Sequence, residues 1–185
     1  MFSDLGAHIL DADQAAREVV RPGTPCWQRL REFLGLAYFD EDGELRRQEL
    51  RQKIIHDRKC RSALNAIMHP YIVQEMERKW ELLQAIHQIV VFDIPLLFEA
   101  DMAHCFNTII LVYTPRHIQI QRLMLREGLS QTEAANALSM QLPIEAKRAR
   151  SHMTIDNSGD LENTLKQVKT TWEKLTSQSS LNTSI

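Results

Sequence analysis

Apolar residues along the chain follow two patterns, short runs and longer segments in which they recur at helical spacing. The short runs lie at 7–10, 89–92 and 108–113, and a last candidate strand lies at 153–156. The continuous apolar run at 89–92 is typical of a strand that is covered on both faces of a sheet. Helical segments separate the runs, so the order predicts an α/β fold, a parallel sheet with helices on both faces.

Turn and proline signals divide the first half of the helical pattern. A segment at 27–34 ends at Gly35, and a basic amphipathic segment follows at 45–55. From 58 to 88 the helical pattern is interrupted at His69-Pro70. Proline lacks an amide donor and restricts the residue before it, so we expect two helices that meet there.

Capping signals divide the second half. Thr114 is the expected N-cap of a helix that reaches Arg126 and stops at Gly128. Ser130 and Glu133 have the spacing of a capping box, which predicts another helix start. The remaining predicted elements are a short basic helix at 144–150, a final helix at 161–175 and a flexible tail at 176–185.

Composition is ordinary for a globular protein, and it argues against nucleic-acid-binding, membrane, zinc-binding and disulfide-rich classes of protein. The 185 residues are 44% hydrophobic and 25% charged, and a net charge of −2 gives no general attraction to nucleic acid or anionic membranes. Cys26, Cys60 and Cys105 are far apart, so we expect neither a zinc site nor a disulfide framework. Without a signal peptide or a run of ~20 apolar residues, the chain is expected to be cytoplasmic.

Two carboxylates follow the first run, and they allow two interpretations. In the first, Asp13 is a helix N-cap whose carboxylate accepts free amides of the first turn, and Asp11 lies in a solvated turn. In the second, one carboxylate is a general base for a substrate hydroxyl, because ligands bind at the carboxyl ends of parallel strands. The residues 11–17 alone leave both interpretations open.

Acidic and basic residues elsewhere favour phosphoryl transfer. Acids follow the second run as well, within 93–99, and Lys147, Arg148 and Arg150 form a cationic segment. Phosphoryl transfer depends on positioning and on charge neutralisation, which Arg and Lys supply. Arg148 and Arg150 could equally be a solvated helix end that the helix dipole favours.

Six segments, in order along the chain, carry a resemblance to a known family. They are Asp11-Ala-Asp-Gln-Ala-Ala-Arg17, Met68-His-Pro70, Ile94-Pro-Leu-Leu-Phe-Glu99, Gln121-Arg-Leu-Met-Leu-Arg126, Gln141-Leu-Pro-Ile-Glu-Ala-Lys-Arg-Ala-Arg150 and Ile155-Asp-Asn-Ser-Gly159. Together they resemble dephospho-CoA kinase over residues 4–159. Several ordered motifs are far more specific than any one of them.

The resemblance implies a P-loop kinase-like fold and an activity. That activity is transfer of phosphate from ATP, with Mg²⁺, to the ribose 3′-hydroxyl of dephospho-CoA in coenzyme A synthesis. It implies one kinase-like domain at 1–175, with a helical acceptor-binding insertion at about 21–88 and a lid at about 127–152. The implied partners are small-molecule substrates, with no nucleic acid and no membrane.

The same resemblance assigns roles to individual residues. Asp13 is the base that orients and deprotonates the hydroxyl. The acceptor pocket is implied to be lined by Asp11, Arg17, His69, Pro95, Leu96, Leu97 and Glu99. On the ATP side the implied lid cations are Arg122, Arg126, Lys147 and Arg148, with Asn157 near the adenine. No residue is implied to be a metal ligand.

The phosphate-binding loop of this family is absent from the sequence. The motif G-x-x-x-x-G-K-[ST] holds phosphates with backbone amides and a lysine. The glycines stand at 6, 23, 35, 43, 128 and 159, so no two are five apart and none precedes a lysine. By the family pattern about twenty residues are missing, including a strand from the middle of the sheet. The chain is therefore expected to be inactive as written.

Three hypotheses follow from this departure. In the first, the chain is a dephospho-CoA kinase whose true start lies upstream of Met1. In the second, it is a truncated remnant or binding module of that family. In the third, it is another small-molecule P-loop kinase that shares the sheet.

Overall fold

The computed structural model describes residues 1–182, with the backbone alone at 55–56 and 178–182. The strands are β1 (His8–Asp11), β2 (Val90–Asp93), β3 (Ile110–Tyr113) and β4 (Met153–Asp156). The helices are α1 (Ala12–Glu18), α2 (Pro25–Leu34), α3 (Arg47–His56), α4 (Arg58–Leu83), α5 (Arg116–Glu127), α6 (Gln131–Ser139), α7 (Ile144–Ala149) and α8 (Leu161–Asn182).

Contacts within the chain divide it into two units. One unit is His8–Ile94, and the other is Met1–Ala7 together with Pro95–Ile185. We call them the His8 unit and the Pro95 unit. Each unit contains one parallel pair of strands, β1 with β2 and β3 with β4. The alternation of strands and helices, and the parallel pairing, therefore match the sequence prediction.

The strands are less buried than the apolar runs predict. Val90, Val91 and Phe92 of β2 are half-buried, and Val112 of β3 is 55% exposed. Each described strand has a single hydrogen-bonded neighbour, so each pair lacks the strand neighbours on both sides that would cover a parallel sheet. Burial of β2 on both faces was therefore a wrong expectation.

The His8 unit has two apolar cores. The larger core joins α2, α3 and α4 through Val20, Cys26, Leu30, Phe39, Leu45, Leu50 and Leu64. The smaller core, of Leu10, Ala15 and Met76, packs α4 against β1 and α1. The start of α2 follows from its sequence, since the Thr24 hydroxyl accepts the Trp27 amide at 3.3 Å and Pro25 occupies the first turn.

Helix α4 corrects the prediction of two helices that meet at His69-Pro70. It runs without interruption from Arg58 to Leu83, with Pro70 inside it. Buried residues on both sides of the proline, Leu64 and Met76, hold the helix against its neighbours. This packing outweighs the loss of one amide donor. His69 is consequently an exposed residue within a helix and not a residue at a helix start.

The Pro95 unit packs α7 against β3, α8 against β4, and α5 against α6. Its core includes Ile109, Tyr113, Ile155 and Val168. Strand β4 and the Ser130–Glu133 capping box are confirmed as predicted. Thr114 is not the N-cap of α5, because Pro115 takes that position.

Helix α8 continues beyond the predicted end at Leu175 to Asn182. The hydroxyls of Thr176 and Ser177 donate to the carbonyls of Trp172 and Glu173 inside the helix, at 3.1 and 2.7 Å. Because no glycine or proline stops the helix there, it extends into the predicted tail, and 183–185 lie outside the described residues. No described helix has both the length and the hydropathy of a membrane span.

Candidate functional site

The carboxyl ends of β1 and β2 bring acidic residues together in the His8 unit. The register places Asp11 directly opposite Asp93. Asp11 also caps α1, because its Oδ1 accepts the amides of Asp13 and Gln14 at 2.7 and 3.2 Å. The interpretation of Asp13 as the N-cap is therefore wrong. Asp13 lies exposed in the first helical turn, and its carboxylate takes no part in the capping bonds.

Two of the acidic side chains act on the third, Asp93. Desolvation raises the pKa of Asp93, and the negative charges of Asp11 and Asp13 raise it further. Asp93 was missing from the predicted site residues. Its sequence signal was present, since it follows the apolar run 89–92 just as Asp11 follows 7–10. We call Asp11, Asp13 and Asp93 the acid cluster.

The acid cluster does not have the geometry of a metal centre. Among the side chains that the structure describes, no three His, Cys, Asp or Glu groups are arranged to hold a metal ion. Asp11 lines a cavity of about 260 Å³ with Gln14, Met76 and Lys79. Lys79 is engaged there in an ion pair with Glu18 of α1.

Two further predicted acceptor residues lie in the same unit. Arg17 is exposed in the last turn of α1, and His69 is exposed on α4. Helices α1 and α4 pack against each other. All the predicted acceptor residues that precede Pro95 lie in this unit.

The remaining acceptor residues, Pro95, Leu96, Leu97 and Glu99, belong to the Pro95 unit. Leu96 is 46% exposed, whereas Glu99 is turned inward. Glu99 Oε1 accepts a hydrogen bond from Lys147 Nζ at 2.8 Å and another from the Leu142 amide at 2.9 Å. Burial alone would raise the pKa of Glu99, but these two hydrogen bonds, the backbone amide of Glu99 itself and the charge of Lys147 together hold the pKa below its ordinary value.

The cations of α7, and Arg150 directly after it, are held by protein groups. Lys147 is 7% exposed and paired with Glu99. The Arg148 guanidinium lies 4.8 Å from the centre of the Tyr113 ring, and the Arg150 guanidinium lies 4.8 Å from that of Phe98. The Tyr113 hydroxyl donates to Glu145 at 2.6 Å, which adds a further contact between α7 and β3.

The other predicted ATP-side residues are more open. Arg122 and Arg126 are exposed on α5, and Arg126 pairs with its neighbour Glu127 at 3.1 Å. Asn157 follows β4, and its amide donates to the Tyr113 carbonyl at 2.8 Å. Its side-chain oxygen accepts the Thr164 hydroxyl at 3.2 Å. The predicted residues are thus divided between the units. The His8 unit contains Asp11, Asp13, Arg17 and His69, and the Pro95 unit contains those of 95–99, α5 and α7 together with Asn157.

Solved structures define the class of the fold. The chain resembles the crystal structure of TT1252 from Thermus thermophilus, with a TM-score of 0.76, 27% identity and coverage of 94% of this chain and 87% of the other. It also shares its fold with dephospho-CoA kinase from Campylobacter jejuni, with a TM-score of 0.69 at 20% identity. The chain therefore has the α/β fold of the P-loop kinases, as the sequence predicted.

Sequence comparisons then define the family. The dephospho-CoA kinase family model matches residues 1–163. Dephospho-CoA kinase from Halalkalibacterium halodurans is 37% identical over 169 residues, covering 91% of this chain and 84% of that protein. Dephospho-CoA kinase from Shouchella clausii is 40% identical over 164 residues, covering 88% of this chain and 83% of that protein. The chain belongs to the dephospho-CoA kinase family, which confirms the resemblance carried by the six segments.

Proposed function

We propose that the acid cluster serves the reaction of the family, ATP-dependent phosphorylation of the ribose 3′-hydroxyl of dephospho-CoA in coenzyme A synthesis. Asp13 is the general base in this proposal. One observation carries the proposal. Asp11 caps α1, so the exposed carboxylate of Asp13 takes no part in the capping bonds. A carboxylate at a helix start beside a strand end can accept the proton of a substrate hydroxyl.

The surroundings of Asp13 support this role. Asp11 fixes the backbone of the first turn through two hydrogen bonds, so the position of Asp13 is set by the fold. Arg17, four residues after Asp13 on α1, supplies a guanidinium suited to the phosphates of the acceptor. His69 of the same unit is a further proposed acceptor contact.

On the ATP side we assign charge neutralisation to the exposed cations Arg122 and Arg126 and to Arg148. Asn157 is assigned to the adenine. Lys147 and Glu99 belong to the same family motifs, but their charges are already matched to each other. ATP enters with Mg²⁺ as a substrate, and the partners are small molecules.

The residues present do not fit a triphosphate cradle. The 185 residues contain no G-x-x-x-x-G-K-[ST] sequence. Correct positioning contributes on the order of 7–11 kcal/mol to barrier lowering, so a chain without that loop should lose useful turnover. We therefore propose that these 185 residues bind dephospho-CoA by themselves, and that the acid cluster acts in phosphate transfer only together with a phosphate-binding loop that they do not supply. A second candidate function is a non-catalytic CoA-binding module of the same family.

Calorimetry on the 185-residue chain tests the binding half of the proposal. Dephospho-CoA should bind, ATP should not, and Arg17→Ala should weaken dephospho-CoA binding. Arg47→Ala, which removes an exposed arginine on α3, is the matched control and should leave it unchanged. Absence of dephospho-CoA binding would contradict both the kinase proposal and the binding-module proposal.

A fusion tests the catalytic half. A strand and a G-x-x-x-x-G-K-[ST] loop that follow the family pattern would be joined ahead of Met1, and phosphate transfer to a panel of alcohols would be measured. Dephospho-CoA should be the acceptor, and Asp13→Asn should lower kcat by about 10²–10⁴-fold because a general base is lost. Asp42→Asn, in an exposed turn of the same unit, should have no effect. Full activity of Asp13→Asn would refute the role of Asp13, and a fusion that phosphorylates another alcohol only would favour a different small-molecule kinase.

A further inference from the structure

The segment 95–99 is fastened to α7 and to the linker before it. Glu99 Oε1 accepts from Lys147 Nζ at 2.8 Å and from the Leu142 amide at 2.9 Å. One residue earlier, the buried Phe98 ring lies 4.8 Å beneath the Arg150 guanidinium. Both ends of α7 are therefore attached to the same short segment.

Burial limits what Lys147 and Glu99 can reach. The side chain of Lys147 is 8% exposed and that of Glu99 is 19% exposed. Glu99 Oε2 is buried and has no hydrogen-bond partner among the described residues, so the carboxylate makes its bonds through Oε1 alone. An ammonium group that is this deeply buried and already neutralised is a poor contact for a phosphate.

Helix α7 depends on such anchors. It has only six residues, and Pro143 at its N-cap provides no side-chain cap. A helix of this length is unstable in isolation, so tertiary contacts determine where it lies. The Leu142 amide immediately before Pro143 is bonded to Glu99, which places the anchor at the junction of α6 and α7.

We propose that Glu99, Lys147 and the Leu142 amide form a lid latch, in which Glu99 and Lys147 are positioning residues that hold the base of the α6–α7 lid and contact no substrate. The function of the lid rests on the proposed kinase activity, whereas the latch itself rests on the geometry alone. The proposal changes the roles that the family resemblance implies for both residues, an acceptor contact for Glu99 and a phosphate contact for Lys147.

Amide hydrogen exchange on the full chain, followed by NMR, tests the latch. In the parent chain the Leu142 amide should be protected and shifted downfield, as expected of a bond to a carboxylate. Glu99→Gln and Lys147→Met should each speed its exchange by at least about tenfold, the size expected when a charge-assisted bond is lost or loosened. The double variant should exchange no faster than the faster single variant, because both changes break one unit.

A matched control is available in the same unit. Glu162→Gln and Lys166→Met break a fully exposed pair on α8 and should leave the Leu142 amide unchanged. Fast exchange of Leu142 in the parent chain would overturn the latch without any variant having to fold. Additive effects of the two latch variants would also overturn it.

Dephospho-CoA calorimetry on the same variants separates positioning from substrate contact. Glu99→Gln and Lys147→Met should alter the dissociation constant by similar factors, and together by no more than either alone. A change caused by Glu99→Gln only would show that Glu99 contacts the acceptor and would overturn its positioning role. If the parent chain binds no dephospho-CoA, the proposed function fails, while the exchange experiment still decides whether the latch exists.

Discussion

Asp93 and Glu99, two carboxylates that follow closely on strand β2, have pKa values displaced in opposite directions. Asp93 ends the strand in the acid cluster, where desolvation and the charges of Asp11 and Asp13 raise its pKa. Glu99 is paired with a buried lysine and a backbone amide, and its pKa is lowered although burial opposes this. The difference between them therefore comes from their partners, because desolvation acts on both in the same direction.

The comparison separates two uses of an acidic residue. Around Glu99 each charge is matched, which is the arrangement expected of a structural contact. In the acid cluster like charges are held side by side, which reduces stability and is typical of sites that exchange protons with a substrate. The fold sustains this repulsion through the α1 cap and the β1–β2 pairing.

The largest effect should come from removing the cation on the matched side. Lys147→Met leaves the Glu99 carboxylate buried with the Leu142 amide alone, and the free energy of unfolding should fall by about 3 kcal/mol at pH 7. Urea denaturation measures this loss. Lys166→Met, which breaks a pair whose side chains are 72% and 78% exposed, should change it by less than about 1 kcal/mol.

The pH dependence of the same pair sharpens the test. Because the folded pKa of Glu99 is depressed, its stabilising contribution is complete above its ordinary value of 4.5 and is lost as pH falls through the folded pKa. The difference in the free energy of unfolding between the parent and Lys147→Met should therefore become smaller as the pH falls. If Lys147→Met and Lys166→Met lower the free energy of unfolding equally at pH 7, the buried pair stabilises the fold no more than the exposed pair does.

Local patterns predicted much of the fold. The apolar runs located β1, β2 and β3 within a few residues, the separate candidate at 153–156 is β4, and the capping box at Ser130 marked the start of α6. The continuity of α4 through Pro70 was missed, since it depends on packing against three other helices that a local proline signal does not contain. The pairing of Glu99 with Lys147 was missed for the same reason, because the two residues are far apart in sequence.

The candidate site was predicted unevenly. The strand-end position of Asp11 and Asp13 followed from the pattern, but the division of roles between them required the backbone geometry of the first turn. Asp93 could have been added from its equivalent position after a second run. The roles of Arg17, His69 and the α5 cations came from the family resemblance, because an exposed charge on a helix carries no local signal of its ligand.

A medium effect is expected at Asp11, where capping and repulsion oppose each other. Asp11→Ala removes two capping bonds and should reduce the free energy of unfolding by about 1 kcal/mol. The loss is slightly offset because the repulsion between Asp11 and Asp93 is removed as well. Asp11→Asn retains a capping oxygen and removes the charge, so stability should stay within a few tenths of a kcal/mol of the parent. Ser130→Ala, a cap without a like charge beside it, is the control for urea denaturation. If Asp11→Asn lowers the free energy of unfolding as much as Asp11→Ala, the negative charge of Asp11 does not destabilise the fold.

The smallest effect, and the one of opposite sign, is expected at Asp93. The raised folded pKa means that the folded chain holds its proton more tightly than the unfolded chain, so ionisation of Asp93 at neutral pH destabilises the fold. Asp93→Asn should therefore stabilise the chain at pH 7, by less than about 1 kcal/mol because the site is solvent-screened. The gain should shrink as pH falls through the folded pKa and disappear below the ordinary value of 3.8, where Asp93 is protonated in both states.

Asp42→Asn, in an exposed turn, should produce no such pH-dependent gain in thermal or urea unfolding. A loss of stability in Asp93→Asn at pH 7 would mean that the acid cluster is held by a compensating cation, and the contrast with Glu99 would then fail.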